Sequence, residues 1–92
     1  MPRRFRNATG PAVRRLRMER ALTQDQLAAR LVLAGLGNAD RVWVAKVETR
    51  IRSVYDFELA VIAAVLGVTA DELLPGGKEL KRDLPALNEG ER

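Results

Sequence analysis

Residues 22–48 read LTQDQLAARLVLAGLGNADRVWVAKVE, a stretch in which glycines separate two segments with helical patterns. Thr23 is followed three residues later by Gln26, which is the capping-box spacing that starts a helix. The apolar residues that follow recur at helical spacing and predict its buried face, namely Leu27, Ala28 and Leu31. Gly35 and Gly37 predict its end, because glycine readily adopts the left-handed conformation found there.

The second helix of this stretch is predicted to begin at Asp40, whose carboxylate can accept hydrogen bonds from first-turn amides. Val44, Val47 and then Ile51 are spaced to face the core. The remaining large side chains of this helix point elsewhere: Arg41, Val42, Trp43 and Lys46. Residues 49–54 lack a sustained period and are predicted to form a loop.

Helices are also predicted on both sides of this pair. On the N-terminal side a helix begins near Pro11, with Val13 and Leu16 on its apolar face. On the C-terminal side residues 56–66 are apolar on nearly all sides, which predicts the central core helix of a small all-α domain.

The C-terminal part of the chain contains further residues that end or begin helices. Gly67 ends the apolar helix, and a second capping box, Thr69 with Glu72, opens a short fifth helix. We therefore expect one domain over residues 10–75. The flanks lack a core pattern, which predicts a flexible basic arm at residues 1–9 and a charged, mobile tail at residues 76–92.

Composition narrows the functional classes. The chain has 92 residues with 47% apolar and 30% charged side chains, as expected for one soluble globular domain. No apolar run approaches the roughly 18 residues of a membrane span, so no membrane partner is expected. Cysteine and histidine are both absent, which excludes thiolate and imidazole chemistry. We therefore expect no enzyme activity, no metal and no cofactor.

The charge is unevenly distributed. Residues 1–54 hold twelve arginine or lysine side chains against four carboxylates, a net charge of +8, whereas residues 55–92 carry −4. A basic half of this kind indicates a surface for a polyanion such as nucleic acid. The alternative is a solvated basic surface with no partner.

The order of these patterns resembles a known family, the helix-turn-helix regulators of bacteria and phages that include lambda repressor, Cro and the xenobiotic-response-element type. The fragments that carry the resemblance are Leu16-Arg17, residues 22–28, residues 44–48, Leu59-Ala60 and residues 63–74. The segment between the second and third helices matches a subgroup with a lengthened turn. The resemblance implies an all-α, five-helix lambda-repressor-like DNA-binding domain.

The resemblance also implies roles for individual residues. Gln24 matches the position that clamps a backbone phosphate, and the third helix enters the major groove with Arg41, Val42 and Lys46. Trp43 either touches DNA there or packs in the core. Three loop residues match positions beside the phosphate backbone, namely Thr49, Arg50 and Arg52; solvated arginines are the alternative for the last two.

Further residues are assigned outside the third helix and its loop. The arm is expected to add contacts to the phosphate backbone or the minor groove through Arg3, Arg4 and Arg6. Arg17 and Glu48 match a structural ion pair that joins the first and third helices.

These assignments predict a sequence-specific transcriptional regulator, a repressor, that binds double-stranded DNA as a homodimer in a bacterial or phage-infected cytoplasm, associated with the nucleoid. Two copies are expected because one such domain reads only a short half-site. The dimer contact is expected on the fourth helix, the fifth helix or the tail. The alternative is an antitoxin-like or other module that binds a protein partner and whose DNA binding is autoregulatory.

Overall fold

The computed structural model describes residues 4–88, in which five α-helices and one short 3-10 helix follow each other. The α-helices are α1 (Gly10–Glu19), α2 (Gln24–Leu33), α3 (Arg41–Glu48), α4 (Asp56–Leu66) and α5 (Gly77–Asn88), and the 3-10 helix spans Ala70–Leu73. This part of the chain contains no strand, which confirms the all-α class. None of the helices described is long and apolar enough to cross a membrane.

The predicted helix starts are confirmed by their caps. The amide of Gln26 donates to Thr23 Oγ1 at 3.0 Å, and the amide of Thr23 donates back to Gln26 Oε1 at 2.8 Å. At the start of α3, the amide of Trp43 donates to Asp40 Oδ1 at 2.8 Å. Gly67 ends α4 with φ at 72°, the left-handed conformation expected from its lack of a Cβ.

The core lies between α1, α2, α3, α4 and the 3-10 helix. Its fully buried side chains are Val13, Leu27, Leu31, Val44, Val47, Ile62, Leu66 and Leu73. Ile51 was predicted to join them and does not, since 47% of its surface is exposed. The reason is local: Arg50 has a positive φ of 66°, which turns the chain out of the direction of α3.

The long segment between α2 and α3 is anchored at both ends. The amide of Leu36 donates to the carbonyl of Leu31 at 3.0 Å, and Gly35 reaches this turn with φ at 114°. Ala39 is fully buried and Leu36 packs against the core. The added residues therefore form an ordered turn that fixes the start of α3.

Only one side of the apolar helix α4 is in the core. One face is in the core through Ile62, Ala63 and Leu66, whereas the opposite face is open. Phe57 at the start of that open face is 59% exposed. Within residues 4–88, no second layer of helices covers this face, because α5 packs beside the end of α3 instead.

The predicted flexible arm is packed from residue 5 onward. Asn7 and Thr9 are buried, and the hydroxyl of Thr9 donates to the carbonyl of Leu73 at 2.6 Å. The Asn7 Oδ1 atom accepts from the amides of Thr9 and Gly10 at 3.0 and 2.8 Å, which caps the start of α1. Polar side chains with backbone partners hold this segment, and hydrophobic periodicity does not reveal such contacts.

Residues 77–88 of the predicted mobile tail form α5. The carboxylate of Asp83 is buried and accepts from Arg82 Nε at 3.0 Å and from Arg50 Nη2 at 2.8 Å. Hydrogen bonds from Arg82 first, and then from Arg50, hold the pKa of Asp83 below its ordinary value. The backbone adds a bond from the amide of Phe5 to the carbonyl of Ala86 at 3.2 Å.

Asn7 tests whether residues 5–9 belong to the folded domain. Asn7→Ala removes two donors from buried carbonyls and the cap of α1, so we expect the free energy of unfolding to fall by about 1–3 kcal/mol. Urea denaturation measures this change. As the control, Arg6→Ala removes an exposed side chain and should change stability by less than about 0.5 kcal/mol. Equal stability of Asn7→Ala and wild type would contradict the packed arrangement.

Candidate nucleic-acid interface

The outer surface of α3 carries a continuous row of side chains. Val42, Ala45, Lys46 and the C-cap Thr49 recur at helical spacing, and Arg41 adjoins them at the first turn. At 100° per residue these five positions span an arc of about 140°. All except the half-buried Ala45 are exposed. We call this set the outer row of α3.

The inner side of α3 is fixed by an ion pair with α1. Arg17 Nε donates to Glu48 Oε2 at 2.6 Å and Arg17 Nη2 donates to Glu48 Oε1 at 3.0 Å. The side chain of Glu48 is only 1% exposed, and the hydrogen bond to it raises the pKa of Arg17. The expected structural pair is thus present in a bidentate geometry.

The amide group of Gln24 belongs to the same cluster. Its Nε2 atom donates to Glu48 Oε1 at 3.1 Å, and the side chain is half-buried. The structure therefore directs the side chain of Gln24 toward α3. Its backbone N–H lies in the first turn of α2, where amides lack partners within the helix.

The C-terminal end of α3 is held from the N-terminal segment. Asn7 Nδ2 donates to the carbonyls of Val47 and Arg52 at 3.1 and 2.8 Å. Gly10 lies directly against the carbonyl of Val47, where an added Cβ would collide with backbone. Glycine is therefore required at the point where α1 crosses the end of α3.

Arg50 is engaged within the protein. Its guanidinium bonds Asp83 at 2.8 Å and lies 4.1 Å from the ring centroid of Phe5. The side chain is 11% exposed. In this position Arg50 attaches α5 to the end of α3 and is not a solvated arginine, and its contact with a phosphate stays a prediction.

Arg52 and Trp43 lie together. The Arg52 guanidinium is 4.8 Å from the centroid of the Trp43 ring and bonds the carboxylate of Glu58 at 3.3 Å. Trp43 is 7% exposed, so the structure favours the core position between the two that the sequence left open.

A shallow depression of about 470 Å³ runs beside the outer row of α3. Val42 and Ile51, 53% and 47% exposed, give it apolar walls, and Lys46 adds a cation. A surface of this kind can contact an apolar group and a hydrogen-bond acceptor next to each other. Ile51 was missed as a surface residue, because its spacing matched the core pattern.

The arm residues differ in their placement. Arg3 lies outside the described residues, and Arg4 is half-buried. Arg6 has an exposed side chain, and its amide donates to the carbonyl of Arg50 at 2.9 Å. Arg6 is therefore beside the loop that follows α3.

Three residues that organise this region were not singled out from the sequence: Asn7, Glu58 and Asp83. Asn7 had a usable signal, because asparagine just before a helix often caps it. Glu58 likewise lies three residues after Tyr55, a spacing typical of a capping box. Asp83 had none, since its partner Arg50 is distant along the chain.

The comparisons with known proteins agree with this architecture. No protein-family model matches the chain, and no curated protein gives a significant match. The solved structures include the hypothetical transcription factor NHTF from Neisseria, which is 28% identical over 85% of this chain and 83% of its own, with a TM-score of 0.65. The DNA-binding domain of BldD is 27% identical over 77% of this chain and 94% of its own, with a TM-score of 0.62.

The chain has a helix-turn-helix fold. In this fold α2 is the first helix of the motif and α3 the second. Helix-turn-helix proteins place the second helix in the major groove while the first crosses the backbone. The outer row of α3 lies on the exposed side of this second helix.

Proposed function

We propose that this protein is a sequence-specific regulator of transcription that binds double-stranded DNA with α3 in the major groove. The observation that carries the proposal is the outer row of α3, which projects Arg41 and Lys46 from a helix whose start is capped by Asp40 and whose C-terminal end is held by Arg17 and Asn7. The basic half of the chain, net +8 over residues 1–54, supplies α1, α2 and α3. Positive charge of this kind attracts the phosphate backbone.

Each member of the outer row has a chemically suitable partner in the groove. Arg41 can bond the O6 and N7 acceptors of a guanine, and Lys46 can donate to a guanine or a phosphate. Val42 has only apolar atoms to offer, which suits the methyl group of thymine. The Thr49 hydroxyl and the backbone N–H of Gln24 suit phosphate oxygens.

The similar structures support this assignment. NHTF is described as a hypothetical transcription factor and the BldD structure is a DNA-binding domain. Both similarities span most of this chain. The ordered turn between these two helices is long, which supports membership of the subgroup with a lengthened turn.

The active species in this proposal is a homodimer, because a single domain contacts too few base pairs for useful specificity. The open face of α4 offers a contact surface, with exposed apolar residues at helical spacing: Phe57, Ala60 and Ala64. The ring of Phe57 stacks on that of Tyr55 at 5.7 Å, and both are about 60% exposed. Phe57, Ala60 and Ala64 carry no charge, so two copies can pack these side chains together across a two-fold axis.

Occupation of an operator is enough to block other proteins there, and we therefore propose repression as the mode of regulation. The expected setting is the cytoplasm of a bacterium or of a phage-infected cell, where the protein has access to the nucleoid. The antitoxin-like alternative uses the open face of α4 for a different protein. The two hypotheses differ in what covers Phe57.

The reading role of α3 is tested by selection from random duplexes followed by titration of the recovered site. We expect a palindrome with half-sites about one helical turn apart. Arg41→Ala should weaken binding to that site by about 1–3 kcal/mol and relax the preference at one base pair. Lys46→Ala should also weaken binding. Folding should survive both changes, because neither side chain is in the core.

The control variant is Arg30→Ala on the neighbouring helix, which removes an exposed cation from the last turn of α2. It should leave the base preference unchanged. If selection recovers no sequence, or if Arg41→Ala and Lys46→Ala retain the full base preference, α3 is not the reading element and the proposed function is wrong.

The dimer contact is tested with Phe57→Lys, which introduces a charge on the open face of α4. We expect wild type to sediment as a dimer on its operator and Phe57→Lys to bind with reduced cooperativity, because like charges would meet at the axis. Leu84→Lys is the matched control on α5, where Leu84 is 45% exposed. If Leu84→Lys dissociates the dimer and Phe57→Lys does not, the dimer contact lies on α5. One copy of wild type per operator would contradict the homodimer and favour the protein-partner hypothesis.

A further inference from the structure

Arg52 makes four contacts that join separate parts of the fold. Its guanidinium covers the Trp43 ring at 4.8 Å, bonds Glu58 Oε2 at 3.3 Å and donates to the carbonyl of Ser53 at 2.9 Å. Its own carbonyl accepts from Asn7 Nδ2 at 2.8 Å. A single residue of the loop is thus connected to α3, α4 and the segment before α1.

Glu58 connects Arg52 to the start of α4. Its Oε1 atom accepts from the amide of Tyr55 at 2.9 Å, which caps the start of α4, while Oε2 faces Arg52. The Glu58 side chain is 9% exposed. A carboxylate buried to this extent requires a cationic partner, and Arg52 is that partner.

These contacts are incompatible with the neutralisation of a phosphate by Arg52. One face of the guanidinium is occupied by the indole ring, and its charge is balanced by Glu58. A DNA phosphate at the same place would lie next to a carboxylate and be repelled by it. The side chain of Arg52 is 26% exposed, so solvent reaches only part of it.

We propose that Arg52 is a positioning residue that holds Trp43, and with it the rotation of α3 about its axis, and that it does not neutralise a phosphate. Trp43 directly follows Val42 of the outer row, so movement of the indole ring rotates the groove-facing side chains. The link to base reading rests on the proposed function. The link between Arg52, Trp43 and Glu58 concerns the free protein and can be tested without DNA.

Trp43 is the single tryptophan of the chain, so its fluorescence reports this site alone. The test compares Arg52→Gln, Glu58→Gln and the double variant. Glutamine at position 58 can still accept from the Tyr55 amide, which keeps the cap of α4. We expect each single variant to shift the emission of the folded protein to longer wavelength, because water replaces the guanidinium over the ring. The double variant should add little further shift, and circular dichroism should show unchanged helix content in all three.

A second experiment measures the affinity for the selected duplex as a function of salt concentration. Loss of a phosphate contact lowers the slope of log affinity against log salt by about 0.9. We expect Arg52→Gln to keep the wild-type slope while it relaxes base preference, and Glu58→Gln to behave in the same way. Lys46→Ala is the control with the opposite pattern: it should weaken DNA binding and leave the emission of Trp43 unchanged.

Two results would overturn the proposal. One is an unchanged emission in Arg52→Gln and in Glu58→Gln, which would show that the guanidinium does not hold the ring. The other is a slope reduced by about 0.9 in Arg52→Gln, which would make Arg52 a phosphate contact. Absence of DNA binding by wild type would refute the proposed function, whereas the emission data would still decide the role of Arg52 in the free protein.

Discussion

The buried ion pair between Arg17 and Glu48 is the constraint on which the placement of α3 depends. A carboxylate that is 1% exposed must keep its partner, and removal of one side of such a pair costs about 3–5 kcal/mol. Its bidentate geometry fixes distance and orientation together. Gln24 adds a third donor from the start of α2. The three helices α1, α2 and α3 are thereby joined at one point, at the C-terminal end of α3.

The arginines that follow α3 make more contacts within the protein than the sequence indicates. Arg50 attaches α5 through Asp83, and Arg52 covers Trp43 and bonds Glu58. Both had been assigned to the phosphate backbone from a resemblance. On the outer row, Arg41 and Lys46 are the cations that can contact a polyanion, and both are exposed. A basic composition therefore overstates the number of cations that are available to bind DNA.

The helices and their starts were predictable because they depend on neighbours in the sequence. Caps at Thr23, Asp40 and Thr69 lie three residues or fewer from the groups they satisfy. The packing of residues 5–9 and of α5 was not predictable, because Asn7 and Asp83 find partners more than thirty residues away. Which side of α4 is open could not be predicted for a related reason: an apolar helix in a sequence does not reveal which of its faces the same chain covers.

The central claim is that α3 occupies the major groove, and methylation interference on the selected duplex tests it most directly. Dimethyl sulfate methylates guanine N7 in the major groove and adenine N3 in the minor groove. The account predicts that N7 methylation at guanines of each half-site prevents binding, and that Arg41→Ala removes this effect at one of them. Interference confined to adenine N3, with guanine N7 methylation tolerated throughout, would contradict the major-groove placement of α3.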